Sequence, residues 1–209
     1  MSAPSGLVLI GFGGHARSVA DVALSAGYRR LLFVDENAAD GEQFLQFPVH
    51  RAMPAPHRDW VYMPCAGDNR RRLAQLHRLM REQLPLATIV SPSATLGCGA
   101  TLAPGCFVGH HAHIGPLARV GGGCIVNTAA VVEHDCVLGE CVHVSIRSSV
   151  AGRSALGDRV FLGAGAVVID RISIASDVTV GAGGVVVASI DAAGVYAGVP
   201  ARRISKVTI

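Results

Sequence analysis

Between residues 90 and 186 an aliphatic side chain recurs at every sixth position: Val90, Leu96, Leu102, Val108, Ile114, Val120, Val126, Val132, Leu138, Val144, Val150, Leu156, Leu162, Val168, Ile174, Val180 and Val186. That is seventeen matches without an insertion. Four residues after the earlier ones stands a small residue, from Ala94 and Ala100 through Cys106, Ala112, Ala118, Cys124 and Ala130 to Cys136. Gly often follows the aliphatic residue directly, as at Gly97, Gly109, Gly115, Gly121, Gly139, Gly157, Gly163 and Gly181. An α-helix alternates its apolar spacing between three and four, so a strict six excludes it. The pattern fits short strands that each end in a turn and send one aliphatic side chain inward, the repeat of a parallel β-helix. Three hexads close one triangular coil, so residues 18 apart stack about 4.8 Å from each other. The run makes between five and six coils. A chain that is 50% hydrophobic and holds 25 Gly but only 5% aromatics suits such small-residue layers.

The first 88 residues carry a different pattern. GLVLIG (6–11) reads as a buried strand, and GFGGHARSVADVALSAG after it as a Gly-rich turn opening a helix. RLLFVD (30–35) and WVYMPCAG (60–67) read as further strands, the latter followed by a helix over DNRRRLAQLHRLMREQ. Strand–helix alternation predicts a small parallel sheet with crossover helices. The expected architecture is therefore an α/β Rossmann-like domain over 1–88 and a β-helix domain over 89–209.

Gly11-x-Gly13-x-x-Ala16 after the first strand is a nucleotide-type fingerprint, because glycines let backbone amides approach phosphate at a helix N-terminus. Asp35 follows Gly13 by 22 residues, where an acid can grip a ribose hydroxyl. A dinucleotide would need a second half-domain, and 88 residues leave room for one nucleotide only. Gly67-Asp68-Asn69 ends the third strand on the same carboxyl edge, where open α/β sheets bind ligands. Arg70, Arg71 and Arg72 read as a solvated helix face with at most one side chain turned to the ligand.

Net charge is only +3, which argues against nucleic acid as the partner. No apolar stretch is long enough for a membrane span. Six Cys without a CxxC pair point to reduced thiols in a cytoplasmic chain, with Cys106 and Cys124 stacked as buried core residues.

GFGGHARSVADV, GDNRRR, NTAAVVEHDCVLGECVHVS and GVYAGVPARRI, in that order, resemble the NeuD-like sugar acyltransferases. The likeness is to the bacterial N-acetyltransferases that act on nucleotide-linked 4-amino sugars. It implies a left-handed β-helix, a homotrimer, acetyl-CoA as donor, a UDP-, GDP- or dTDP-linked amino sugar as acceptor, and no metal. Acetyl transfer to an amine needs a base and donors for the tetrahedral oxyanion. His134 is the expected base: it stands two residues after Val132, at a turn, and so projects from a corner. Asp135 matches the acid that supports the base in the family, with Glu133 as a competitor for that role. Gly152 lies 18 residues after His134 and should stack beside it, its amide facing the thioester carbonyl. By resemblance His143 contacts acetyl-CoA and Ala164 and Ala182 line the pantetheine channel. Arg202 and Arg203, after Gly198-Val199-Pro200, read either as contacts to CoA phosphates or as a solvated C-terminal turn. Gly13, Gly14, His15, Asp35, Glu36 and Gly67 are expected to hold the nucleotide sugar. At Arg147 the chain departs from its relatives, which commonly carry Gly there.

Three other readings compete. His110, His111, His113 and His134 suggest a γ-class carbonic-anhydrase-like metalloenzyme, but zinc needs three converging histidines, and none of these stacks 18 residues from another. A nucleotide-sugar-binding scaffold would lack the base. A sugar O-acetyltransferase would use the same base on a weaker nucleophile.

Overall fold

The computed structural model describes residues 6–53 and 59–204. The N-terminal sheet contains β1 (Gly6–Ile10), β2 (Leu31–Val34), β3 (Gln43–Phe44), β4 (Phe47–His50) and β5 (Trp60–Pro64), in the order β3-β4-β2-β1-β5. Helices α1 (Gly14–Ser25) and α2 (Asn69–Arg81) follow β1 and β5. The β3–β4 hairpin is an addition to the sequence reading. Its second strand runs parallel to β2, and Phe47 is buried beneath it. The chain steps outward from β1 to β2, then returns across β1 to β5. That reversal puts the topological switch point at the carboxyl ends of β1 and β5, where the Gly11–Gly14 and Ala66–Asp68 loops face each other.

From β6 (Ile89–Val90) to Val186 the chain is a parallel solenoid on three faces, its strands two residues long except for Val178–Val180. The first face contains the strands that begin at Ile89, Phe107, Ile125, His143 and Phe161, followed by the longer strands Val178–Val180 and Gly194–Ala197 and the antiparallel Arg202–Ile204. The second contains those at Thr95, His113, Val131, Ser149, Val167 and Val185. The third contains those at Thr101, Arg119, Val137, Ala155 and Ser173. Register is 18 from Ile89 to Val186, as in His143↔Phe161 and Val131↔Ser149, and shortens to 16 where Val178–Val180 pairs with residues 194–196. The hexad aliphatics fill the interior with the small residues between them. Leu96 is the exception at 48% exposed, because it lies on the first coil, at the open end of the prism.

Each corner turns through a residue in the left-handed region. From Gly99 to Gly183, every sixth residue has φ between +52° and +81°. Only Gly99, Gly105, Gly123, Gly165 and Gly183 meet that demand without a Cβ; Arg147, at φ +55°, is one of the other ten. The small inner position has a second task. Cys106 Sγ donates to Gly121 O (3.1 Å), Cys124 Sγ to Gly139 O (3.0 Å) and Cys136 Sγ to Ala151 O (3.2 Å). Ser148 and Ser154 do the same with Gly163 O (2.8 Å) and Ile169 O (3.0 Å). A small donor 15 residues back thus satisfies a corner carbonyl of the next coil, which explains why Cys and Ser share the position with Ala. All six thiols are free.

The first face is covered by the N-terminal domain. Its outward residues Phe107 and Ile125 join the core of that domain. Arg72 fastens the two parts. It is fully buried, and all five of its N–H groups are used. Nε donates to Gly123 O (2.6 Å), Nη1 to Ala66 O (2.9 Å) and Gly67 O (3.1 Å), and Nη2 to Asn69 Oδ1 (2.7 Å) and Cys141 O (2.9 Å). Asn69 Nδ2 in turn donates to Arg159 O (3.0 Å) and Val160 O (3.2 Å). Of the three arginines expected on a solvated helix face, this one is a buried interdomain bolt. Arg70 instead pairs with Asp177 at 3.1 Å, on the surface.

Candidate active site

The corner between the second and third faces holds His134, Asp135 and Gly152. Gly115, one coil below, supports it from beneath: a Cβ there would lie 2.6 Å from the His134 amide nitrogen, so only Gly lets the two coils close. Asp135 takes the left-handed turn at φ +59°, and its Oδ2 lies 2.8 Å from His134 Nδ1. A carboxylate can only accept, so Nδ1 carries the proton and Nε2 keeps its lone pair. Glu133 is engaged elsewhere, accepting from the His134 amide at 3.2 Å. The imidazole lies flat on Gly152: a Cβ at that glycine would come 2.5 Å from His134 Nε2 and 2.6 Å from Cε1. The His134 carbonyl accepts from Arg153 N at 2.9 Å, which locks the coils in this register. Gly152→Ala is therefore expected to push the ring off its place against the pull of Asp135. Any reaction that uses this imidazole should slow by about ten-fold or more while the melting temperature changes little, a misplacement effect. Equal kcat in the two proteins would overturn this.

A second constellation lies at the switch point. Gly13 caps α1 with no side chain to offer, and the first turn holds no acid, so its amides are free for an anion; α2 is capped by Asp68, which accepts from Arg71 N. Gly13 and Gly14 are exposed, and a Cβ on either would meet open space. Asp35 shapes this loop, accepting from Phe12 N (2.8 Å) and Asn37 N (3.0 Å), and Glu36 is exposed beside it. The His15 ring stands edge-on to Phe107, 6.4 Å from the His143 ring, which itself stands edge-on to Phe161. Gly67 closes the group, 3.8 Å from His15 Cβ when given a Cβ of its own. A cleft of about 290 Å³ continues from Gly67 along α2, lined by Asn69, Arg70, Arg159, Phe161 and Asp177.

Burial holds both histidines down to about 3, helped at His15 by His143 and Arg72 and at His143 by Arg72, against a small opposing pull from the Gly67 backbone. His15 Nε2 and His143 Nδ1 are buried without a hydrogen-bond partner. Both rings are neutral in the folded chain at pH 7. As pH falls from 6.5 towards 3, the unfolded chain gains protons that the folded chain refuses, so stability drops with acid. Each histidine should cost about 2 kcal/mol by pH 4.5. Urea midpoints at pH 7 and 4.5 measure this, and the His15→Gln, His143→Gln double variant should flatten the difference. An unaltered pH dependence in that variant would refute it.

The remaining expected residues lie apart. Ala164 and Ala182 are exposed and stacked on the corner between the first and second faces, where Gly183 N donates to Ala164 O at 2.9 Å. Arg147 is exposed on that corner, one coil below Ala164. Arg202 is exposed on the terminal strand Arg202–Ile204. In triangular section, the His134 corner is the one opposite the first face. A single chain therefore brings His134, Asp135 and Gly152 together, and separately His15, Gly67 and His143, but holds the two groups on opposite sides of the prism. Among the described residues no group of three His, Cys, Asp or Glu could hold a metal. His110 is spent on Ser91 Oγ (2.7 Å) and Asp21 Oδ2 (3.1 Å), and His113 on Thr95 Oγ1 (2.6 Å).

A hexapeptide solenoid with an imidazole–carboxylate pair at a glycine-floored corner, joined to a nucleotide-type crevice, defines a two-domain acyltransferase. Comparison with known proteins narrows the class. Residues 6–79 match the PglD N-terminal domain family. The acetyltransferase domain of PglB from Neisseria gonorrhoeae is 29% identical with TM-score 0.90, the match covering 96% of this chain and 100% of that one. Its complex with acetyl coenzyme A matches at 30% identity and TM-score 0.89, over 96% and 99% of the two chains. PerB from Caulobacter crescentus, in complex with CoA and GDP-perosamine, is 34% identical with TM-score 0.85 over 96% and 97%. The chain belongs to the NeuD-like family of nucleotide-sugar N-acetyltransferases.

Proposed function

We propose that this chain transfers the acetyl group of acetyl-CoA to the amine of a nucleotide-linked 4-amino-4,6-dideoxy sugar, with His134 as general base. The observation that carries this reading is the His134 ring, its Nδ1 held by Asp135 and its Nε2 lying over Gly152. The sugar amine attacks the thioester carbonyl, and Nε2 takes the proton the nitrogen sheds. The Gly152 N–H, which makes no other hydrogen bond among the described residues, faces the oxyanion. Collapse breaks the C–S bond, and the proton on Nε2 passes to the departing CoA sulfur. The α1 amides and the Gly67 loop hold the nucleotide sugar. PerB with CoA and GDP-perosamine, and the PglB domain with acetyl-CoA, support both substrate classes. The test is CoA release with UDP-, GDP- and dTDP-linked 3- and 4-amino sugars; turnover of none would reject the proposal.

The working unit is a homotrimer. His134 is half exposed on a convex corner, a shallow place for catalysis, and the nucleotide crevice of its own chain faces away. A neighbouring copy supplies the missing wall. Large apolar side chains stand exposed along both edges of the second face, Leu117 at 58%, Ile146 at 48%, Ile169 at 37% and Val187 at 45%, where a second prism would cover them. Sedimentation should give three times the 21.6 kDa chain mass, and a monomer mass would contradict this. We place the enzyme in the cytoplasm, where acetyl-CoA is supplied and six free thiols stay reduced. No helix among the described residues is long and apolar enough to cross a membrane.

A further inference from the structure

The catalytic corner continues upward in a column that the mechanism leaves unused. Asp135 occupies its left-handed turn position, Arg153 the same position one coil higher, and Arg171 one higher again, at φ +59°, +60° and +58°. Backbone bonds tie both arginines to the residues of the site. Arg153 N donates to His134 O (2.9 Å) and Arg171 N to Gly152 O (3.0 Å). Their Cα atoms therefore stand roughly 5 and 10 Å above Asp135 along the prism axis.

The two guanidinium groups are under-used. Arg72 makes five hydrogen bonds, and Arg159 is held by Asp177 at 3.0 and 2.8 Å. Arg153 and Arg171 make no side-chain hydrogen bond among the described residues. The one carboxylate within 4 Å of either is Asp170, 3.9 Å from Arg153 Nη2 and 4.0 Å from Arg171 Nε. Two arginines share that one distant carboxylate, and Asp135 below them is turned to His134, so neither guanidinium has a close carboxylate of its own. Both side chains are open to solvent, at 49% and 69%. An L-residue in this turn carries a steric penalty that Gly escapes, yet the corner twice spends it on the residue whose planar fork best matches phosphate.

We infer that Arg153 and Arg171 form an anion ladder on the catalytic corner that grips the diphosphate of a ligand whose reactive end lies at His134. This rests on the acetyltransfer reading, in which both substrates carry a diphosphate: CoA beyond its pantetheine arm, and the sugar nucleotide beyond its pyranose. Ala164 and Ala182 climb the adjacent corner in the same direction, so a ligand starting at His134 and running towards the later coils passes the ladder.

The test is calorimetric titration of the full-length chain with CoA and, separately, with UDP, GDP and dTDP. Arg153→Ala, Arg171→Ala should weaken each-site binding so that the double variant loses about 30-fold or more for one ligand class and less than two-fold for the other, and the affected class names the source of the diphosphate. Asp170→Asn removes the competing carboxylate and should tighten the same ligand several-fold, a gain that unfolding cannot imitate. If the double variant binds both classes as the parent does, the ladder is refuted while the acetyltransfer reading stands. If the parent chain binds neither CoA nor any of the three nucleotides, both fall.

Discussion

The His134→Ala variant should lose about 10²- to 10⁴-fold in kcat for acetyl transfer while still binding CoA and the sugar nucleotide. The size follows from what the imidazole does. It receives the proton from a nitrogen that becomes strongly acidic once it has attacked the thioester, and no other base stands ready at that corner. Asp135 is tied to Nδ1, Glu133 to the His134 amide. What survives the substitution is positioning and the Gly152 amide, which sets a floor under the residual rate. Asp135→Asn should cost less, because an amide oxygen can still accept from Nδ1–H but no longer offsets the imidazolium charge. Folding should be unaffected, since the ring is 45% exposed and fills no core space. A His134→Ala enzyme within three-fold of the parent, with binding intact, would mean that the base is another residue.

That corner was legible in the sequence because a period of six fixes which residues turn and which stack, though not the hand of the coil, which rests on the resemblance alone. Given Val132, the position of His134 at a turn follows, and given a coil of 18, so does its stacking on Gly152. The N-terminal strands and helices were legible for a similar local reason, a Gly-rich turn after a buried run. The docking of one domain on the other was not, because no periodicity states it. Two signals were nevertheless present. The outward positions of the first face read Ile89, Phe107, Ile125, His143 and Phe161, whereas the third face offers Thr101, Arg119, Val137, Ala155 and Ser173 at the same place. An apolar outer surface on one face alone marks the face that another layer covers. The second signal is Arg72 itself. It precedes Leu76 by four and Leu79 by seven, which puts it on the buried stripe of α2, while Arg70 and Arg71 fall outside it. The hairpin over residues 43–50 left little trace, since two short strands around Leu45 show too few alternations to stand out.

Arg72→Ala should produce the largest loss of stability of any single substitution considered, about 3–5 kcal/mol. No carboxylate accepts from this guanidinium; it is solvated by four backbone carbonyls and the Asn69 side chain. Burial presses its pKa down, yet an arginine starts far enough above neutrality to stay charged. Removing it leaves the Gly123 and Cys141 carbonyls of two adjacent coils buried without donors, each a desolvation cost with nothing in return, and strips the half-buried Ala66 and exposed Gly67 carbonyls of the donor that fixes their loop. Arg72→Lys should recover only part, because an ammonium offers three donors to five acceptors and cannot span two coils and the crevice loop at once. For a chain of this length the alanine variant should melt about 10 °C lower. The transition should also split, since the solenoid keeps its own core while the α/β domain loses its anchor. Function should suffer before stability does: Ala66 and Gly67 form the crevice that faces α1, so at temperatures where the variant is folded its KM for the sugar nucleotide should rise while its KM for acetyl-CoA stays near that of the parent. A single transition within 2 °C of the parent would show that the five bonds are replaceable by water, and that the apolar contacts of Phe107 and Ile125 alone hold the domains together.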